Sequence, residues 1–253
     1  MEVFKQKLSV VVMNFSGAYQ LEPFAKNEKI VRVNCSDISG TDCYCSPASE
    51  QIIAGKISAL SPNGIHFIDS GDYHYVSKLW TDKIAEPFRL VLFDHHTDMQ
   101  ESKIPGLLTC GSWVREMLEH NKWLRQVVIF GTPAGTEKKI PAEFTNRVII
   151  DSEQSVHRHT LPQNTPHDHL PVYMSIDKDV INPAEAVTNW DQGILTMADI
   201  QRILMTVFAK TRVIGLDVCG EFSITHSLFA DYKAAEIDNE ANIEIINIVK
   251  NAI

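Results

Sequence analysis

No stretch of this sequence is apolar for long enough to cross a bilayer. Its longest hydrophobic runs, such as LSVVVMN (8–14) and RLVLFD (89–94), fall far short of the roughly 20 residues a spanning helix needs. Basic excess is missing too: 23 Lys and Arg stand against 32 Asp and Glu, a formal charge of −9, so neither nucleic acid nor an anionic membrane surface is an expected partner. The N-terminal MEVFKQKLSVVVMNFSG enters a strand-like run without the small-residue cleavage site of a secretory leader, which makes the cytoplasm the expected compartment. A disulfide framework is not expected either. The five cysteines are odd in number, and Cys43-Tyr44-Cys45 is spaced too tightly for a zinc knuckle, leaving ordinary thiols or a redox or pocket role. Internal repeats and low-complexity linkers are absent, so residues 1–253 read as one domain with a substantial core.

What is present is alternation. Eight short β-branched runs, at 8–14, 29–35, 64–69, 89–94, 126–131, 147–151, 171–177 and 212–217, read as strands buried on both faces. Amphipathic stretches at 47–60, 74–84, 112–120, 197–209 and 239–253 read as helices between them or after them. The pattern predicts a three-layer α/β/α fold around a mostly parallel sheet of about eight strands. The polar segment 152–170 reads as a surface or site-covering loop; its histidines, His157, His159, His167 and His169, are read as solvated.

Ligands of open parallel sheets lie beyond the carboxyl ends of the strands. Four of these strands end in acid, at Asp69, Asp94, Asp177 and Asp217. Any one such aspartate is better read as a turn or helix cap, but the ends accumulate. In VLFDHHTDMQ (91–100), period-two alternation sends Asp94, His96 and Asp98 to one side and His95 to the other. Asp177 and Asp179 obey the same rule, and His74 follows a strand end of its own. Four carboxylates in one cavity would repel or protonate unless cations balanced them, and two divalent metals match a charge of −4. Oxygen-rich ligation with two imidazoles suits Mn²⁺ first, with Fe²⁺, Zn²⁺, Co²⁺ or Ni²⁺ as alternatives. Two ions about 3.5–4 Å apart would hold a bridging water and make hydroxide available near neutral pH, so hydrolysis is the expected chemistry.

Three segments, Ser70-Gly71-Asp72-Tyr73-His74, Asp94-His95-His96-Thr97-Asp98-Met99-Gln100 and Ser175-Ile176-Asp177-Lys178-Asp179, resemble the G-G-D-H, D-A-H-x-D-x-N and S-x-D-x-D marks of the ureohydrolase superfamily, which comprises the arginases, agmatinases and formiminoglutamases. The resemblance implies the three-layer arginase-like fold. It also implies one manganese among His74, Asp94, Asp98 and Asp177, and another among Asp94, His96, Asp177 and Asp179. The implied activity is hydrolysis of a non-peptide C–N bond, amidino, guanidino or related, in a small nitrogenous metabolite. In that mechanism Asp98 orients the hydroxide, and Cys110 or a nearby histidine protonates the leaving amine.

Departures gather where such enzymes choose substrates. Tyr73 is inserted before His74, Gln100 replaces an asparagine, and Cys110 replaces a proton-shuttle histidine whose work a thiol of lowered pKa would take over. Residues 185–191 replace a Gly-Thr-Gly segment, and Trp190, Asp191 and Tyr73 are candidate pocket walls. Glu221, in GLDVCGEFS, is the candidate counterpart of the glutamate that receives the guanidinium group. Two alternatives stand beside the hydrolase: a non-catalytic metal-binding or regulatory module of the same fold, and an amine deacetylase. The resemblance also leaves a homo-oligomer open.

Overall fold

The structure is a computed structural model, and it describes residues 8–104, 106–156 and 165–253. All eight expected runs are strands of one parallel sheet. They are β1 (Val10–Asn14), β2 (Val31–Asn34), β4 (Ile65–Phe67), β5 (Phe88–Phe93), β7 (Leu124–Phe130), β8 (Val148–Asp151), β9 (Val172–Asp177) and β10 (Val213–Cys219), in the order β2-β1-β4-β10-β9-β5-β7-β8. A second, two-stranded antiparallel pair, β3 (Tyr44–Cys45) with β6 (Leu108–Thr109), has no sequence counterpart above, because two residues are too few to carry an alternation.

The period of two sorts each strand between two cores. On β5, Leu90 and Leu92 pack with α1 (Pro47–Ile57), α2 (Val76–Thr81) and α3 (Trp113–His120). Val91 and Phe93 pack on the other side with α4 (Met197–Lys210) and α5 (Leu228–Ala252). Three layers follow. Helix starts obey capping chemistry: Ser46 accepts from the Ser49 N–H ahead of Pro47, and Thr196 with Asp199 forms a reciprocal capping box.

Helix α5 begins eleven residues before the run at 239–253. Its first turns face inward with Asp231, Ala235 and Asp238 and outward with Leu228, Phe229 and Tyr232, so the apolar stripe that marks a helix is inverted there. No helix among the described residues is long and apolar enough to cross a membrane.

Register decides where chemistry can occur. Phe93 pairs with Ile176, Ile176 with Val218, and Val218 with Phe67, so the carboxyl ends of β5, β9, β10 and β4 fall side by side at the middle of the sheet. Asp94, Asp177 and Cys219 leave the sheet at this one level, and Asp69 follows one residue beyond it.

Candidate metal centre

Two of the four strand-end acids, Asp94 and Asp177, project toward one another. His74, supplied by the 3-10 turn Gly71–Tyr73 that precedes α2, places Nδ1 3.0 Å from Asp98 Oδ2, 3.2 Å from Asp177 Oδ2 and 3.5 Å from Asp94 Oδ2. His96 Nδ1 lies 2.8 Å from Asp179 Oδ2 and 3.6 Å from Asp94 Oδ1. Ligand atoms thus gather in two adjoining groups, His74–Asp94–Asp98 and Asp94–His96–Asp179, with Asp94 in both. All six residues named from the sequence as metal ligands are brought together.

Neighbouring groups aim these side chains. Ser175 Oγ sits 3.0 Å from His74 Nε2; an Nε2–H directed at it leaves the Nδ1 lone pair facing the carboxylates. The Trp113 indole N–H donates to Asp98 Oδ2 at 2.6 Å, and Asp98 itself takes a left-handed backbone (φ 50°). The backbone N–H groups of His96 and His95 donate to Asp94 Oδ1 (2.6 Å) and Asp179 Oδ1 (3.0 Å). The His95 ring turns away from the cluster toward Glu153, as alternation requires. Cys219, the next residue on the Asp217 face of β10, donates its thiol to Asp177 Oδ2 at 3.2 Å. Trp113 and Cys219 escaped sequence reading. Trp113 acts from a helix distant in sequence, and Cys219 lies one step beyond an acid that looked like the end of its motif.

The strand-end acids do not all belong to this centre. Asp69 accepts from the Phe15, Ser16 and Ser70 N–H groups and the Ser16 hydroxyl, a structural cap. Asp217 lies deeper, accepting the Tyr173 hydroxyl at 2.6 Å and standing 2.8 Å from His66, whose ring stacks on Trp80.

Electrostatics show a cluster short of positive charge. Burial, then Asp98 and Asp179, push Asp94 well above the usual carboxylate range, and burial with Asp177 pushes Asp179 up to about 7. His96 is pushed up to about 11 by its hydrogen bonds to Asp179 and Asp94. The buried Asp94 Oδ2 has no hydrogen-bond partner among the described residues. An orphaned, buried carboxylate oxygen among three further acids is the feature a divalent cation satisfies and a neutral side chain does not.

The matching family model spans residues 35–222, which takes in every one of these ligands. The chain belongs to the arginase family. A Thermotoga maritima protein described only as uncharacterized is 31% identical over 164 residues, 62% of this chain; the match spans only 58% of that relative's length. Among solved structures, the formimidoylglutamase of Bacillus subtilis superposes with a TM-score of 0.64 at 12% identity, covering 99% of this chain and 90% of that one. The agmatine ureohydrolase of Thermoplasma volcanium superposes at 0.64 with 16% identity, covering 95% and 89%. At such identities the superpositions show a shared fold.

Above the ligands of this arginase-family centre lies a cavity of about 200 Å³, lined by His74, His96, Asp98, Asp177 and Asp179 below and by Gly71, Gln100, Thr109, Cys110, Gly111 and Trp190 around its mouth. Gln100 is held by its backbone N–H to the Gly111 carbonyl at 2.8 Å. Trp190 stands edge-on to His96 (centroids 5.8 Å apart) and donates to Asp72 Oδ1 at 3.0 Å; Asn189, Ser70 and the Cys43 thiol donate to the same carboxylate. A Cβ at Gly71 would meet the Trp190 ring at 2.8 Å, so glycine there is what lets the indole close over the cavity. A second cavity of about 430 Å³ shares His96 and Gln100 as walls and continues past His95, Thr97, Thr136, Lys139 and Asp191. Cys43 is the exposed partner of the buried Cys45, and all five cysteines are free.

Three expectations need correction. Glu221 does not reach the cavity: it is fully buried, with one carboxylate oxygen 2.8 Å from Lys178 Nζ and the other 2.9 Å from Asn242 Nδ2. The left-handed Gly220 (φ 91°) before it turns the chain toward α5. Tyr73 does not line the cavity either; it stacks on Phe15 at 4.3 Å, because the residue inserted before His74 is absorbed in the 3-10 turn and rotated into the core. Cys110 is on the wall as expected, but its thiol is raised rather than lowered, to about 12, by burial and by the Asp98 and Asp72 carboxylates. Trp190 lines the inner cavity, Asp191 the outer one and Gln100 both. Of the loop histidines, His167 and His169 line neither cavity, while His157 and His159 lie outside the described residues.

Proposed function

We propose that this chain is a binuclear metal-dependent hydrolase, with Mn²⁺ as its preferred metal, that cleaves a non-peptide C–N bond of amidino, guanidino or related type in a small nitrogenous metabolite. Membership of the arginase family supports C–N hydrolysis, and the position of Asp94 in both ligand groups, with its buried Oδ2 unpaired, carries the two-metal reading. The donor set fits: His74, Asp94, Asp98 and Asp177 would hold one ion, and Asp94, His96, Asp177 and Asp179 the other, all hard oxygens and imidazoles. When bound, such a pair supplies hydroxide near neutral pH and polarises the bond under attack.

The chain's own groups set the rest. Asp98, fixed by Trp113, offers a carboxylate oriented toward the cavity floor, where it can accept and hold a proton. Cys110 stands on the wall as a protonated thiol, a donor for the leaving amine rather than a base. Trp190 and Gln100 narrow the mouth, and a floor of about 200 Å³ takes a small head group and excludes a peptide. Among the residues lining the two cavities, Lys139 and Asp191, both in the outer one, are the charged groups remote from the ligands, so the tail of a substrate is read there.

The test is a panel of guanidines with neutral, cationic and anionic tails, together with formimino and N-acetyl amines, given to Mn²⁺-loaded protein with urea, ammonia and amine release as readouts. Turnover of a guanidino or formimino compound, lost in Asp179→Asn, is the expected result. Release of acetate alone would make the chain a deacetylase, and a panel without any turnover would leave a metal-binding module.

A further inference from the structure

Lys178 separates two of the metal-facing aspartates, and it is fully buried. Where the sheet ends, the 3-10 turn Lys178–Val180, capped by the Asp177 side chain, sends the Lys178 side chain toward α5 while Asp177 and Asp179 face His74 and His96. Its ammonium lies 2.8 Å from Glu221 Oε2 and 3.5 Å from Asp238 Oδ1. Asp238 in turn accepts the backbone N–H of Val187 (2.9 Å) and of Phe222 (3.1 Å), and Asn242 bridges Glu221 to Glu22 at 2.9 and 2.8 Å. One cation therefore ties the end of β9 to the end of β10, to α5, and through Val187 to the loop that carries Trp190. Burial and then Glu221 push Glu22 up to about 11, and burial pushes Asp238 up to about 7, so Lys178 sits among acids whose charge burial opposes.

A buried ion pair is a poor device for stability alone, because desolvation offsets most of its attraction and well-packed apolar residues often serve as well. What it supplies is direction. A charged hydrogen bond of 2.8 Å holds its partners more narrowly than methylene packing does. The chain here leaves little room for error: a Cβ at Gly220 would lie 2.6 Å from Asp177 Oδ1 and 2.7 Å from the Lys178 backbone nitrogen.

We propose that Lys178 is a positioning residue for the metal centre, pinning the end of β9 to Glu221 and Asp238 so that Asp177 and Asp179 keep their aim, although its own ammonium faces away from the ligand atoms. The proposal rests on the two-metal reading above. Groups that orient metal ligands typically change affinity by about 10- to 100-fold when removed.

Mn²⁺ titration calorimetry on the wild type, Lys178→Met, Lys178→Arg and the double variant K178M/E221M tests it, with melting of the metal-free proteins measured in parallel. The double variant removes the closest pair together and leaves no orphaned carboxylate at position 221, while Asp238 keeps the Val187 and Phe222 N–H groups. It is expected to melt close to the wild type yet bind Mn²⁺ at least tenfold more weakly, while Lys178→Arg, which keeps the cation, stays closer to wild-type affinity than Lys178→Met. A folded double variant with wild-type affinity overturns the proposal and leaves the two-metal reading standing. Should that variant fail to fold, Glu221→Gln carries the same test, and wild-type affinity there also overturns it. A wild type that binds no Mn²⁺ overturns the reading itself, and the proposal with it.

Discussion

Replacing Asp94 with asparagine is expected to lower kcat by on the order of 10³-fold or more and to reduce the metal content of the loaded protein, while leaving the fold intact. The magnitude follows from what the residue joins. Asp94 reaches both clusters of ligand atoms, 3.5 Å from His74 Nδ1 through Oδ2 and 3.6 Å from His96 Nδ1 through Oδ1, and with Asp177 it would serve both ions. An amide keeps the shape and the acceptor for the His96 N–H but removes the charge and one ligand oxygen. Metal-ion catalysis contributes several kcal/mol to the transition state, and each 1.36 kcal/mol is about tenfold in rate. The fold should tolerate the change, since burial already drives this carboxyl far above its ordinary range and Asp94→Asn relieves repulsion with Asp98 and Asp179. Circular dichroism and melting of the metal-free variant check that arm. A variant with full activity and full metal content would remove Asp94 from the centre.

A large stability effect is expected at Gly220→Ala, a loss of roughly 2–6 kcal/mol from left-handed strain together with overpacking. Gly220 sits at φ 91°, and its missing Cβ leaves the space that Asp177 Oδ1 and the Lys178 backbone fill at 2.6 and 2.7 Å. Neither neighbour can give way cheaply, one being a metal-facing carboxylate and the other main chain. Gly135→Ala is the matched control: φ is 87°, but no described residue lies within 4 Å of the added methyl, so only the backbone strain of about 1–2 kcal/mol should appear. Urea unfolding of both variants separates strain from collision, and weaker Mn²⁺ binding by any folded Gly220→Ala fraction would show that the collision displaces Asp177. Equal losses at the two glycines would contradict the account of how β10 ends.

Most of the centre was legible because strand ends obey a rule of two. Hydrophobic runs located β5 and β9, alternation divided Asp94, His96 and Asp98 from His95, and the register of a parallel sheet brought the ends together without further instruction. The same logic failed wherever a single residue changed the phase. Gly220, in a conformation that sequence alone does not announce, sends Glu221 to Lys178 instead of the cavity. The residue inserted at Tyr73 disappears into a 3-10 turn, leaving His74 in place and the tyrosine against Phe15. Helix α5 began unseen because its inner face carries Asp231 and Asp238, acids that serve Thr225 and Lys178, while its apolar residues point outward. Acidity at a strand end also proved ambiguous one residue at a time. Asp69 is a cap for the chain at Phe15 and Ser16, whereas Asp94 is left with an unpaired buried oxygen, and only their surroundings tell them apart.

Manganese content per chain, measured by elemental analysis after loading and removal of free metal, tests the central claim most directly. Two equivalents in the wild type, falling in Asp94→Asn, is the predicted result; fewer than one equivalent in the loaded wild type would contradict a two-metal centre.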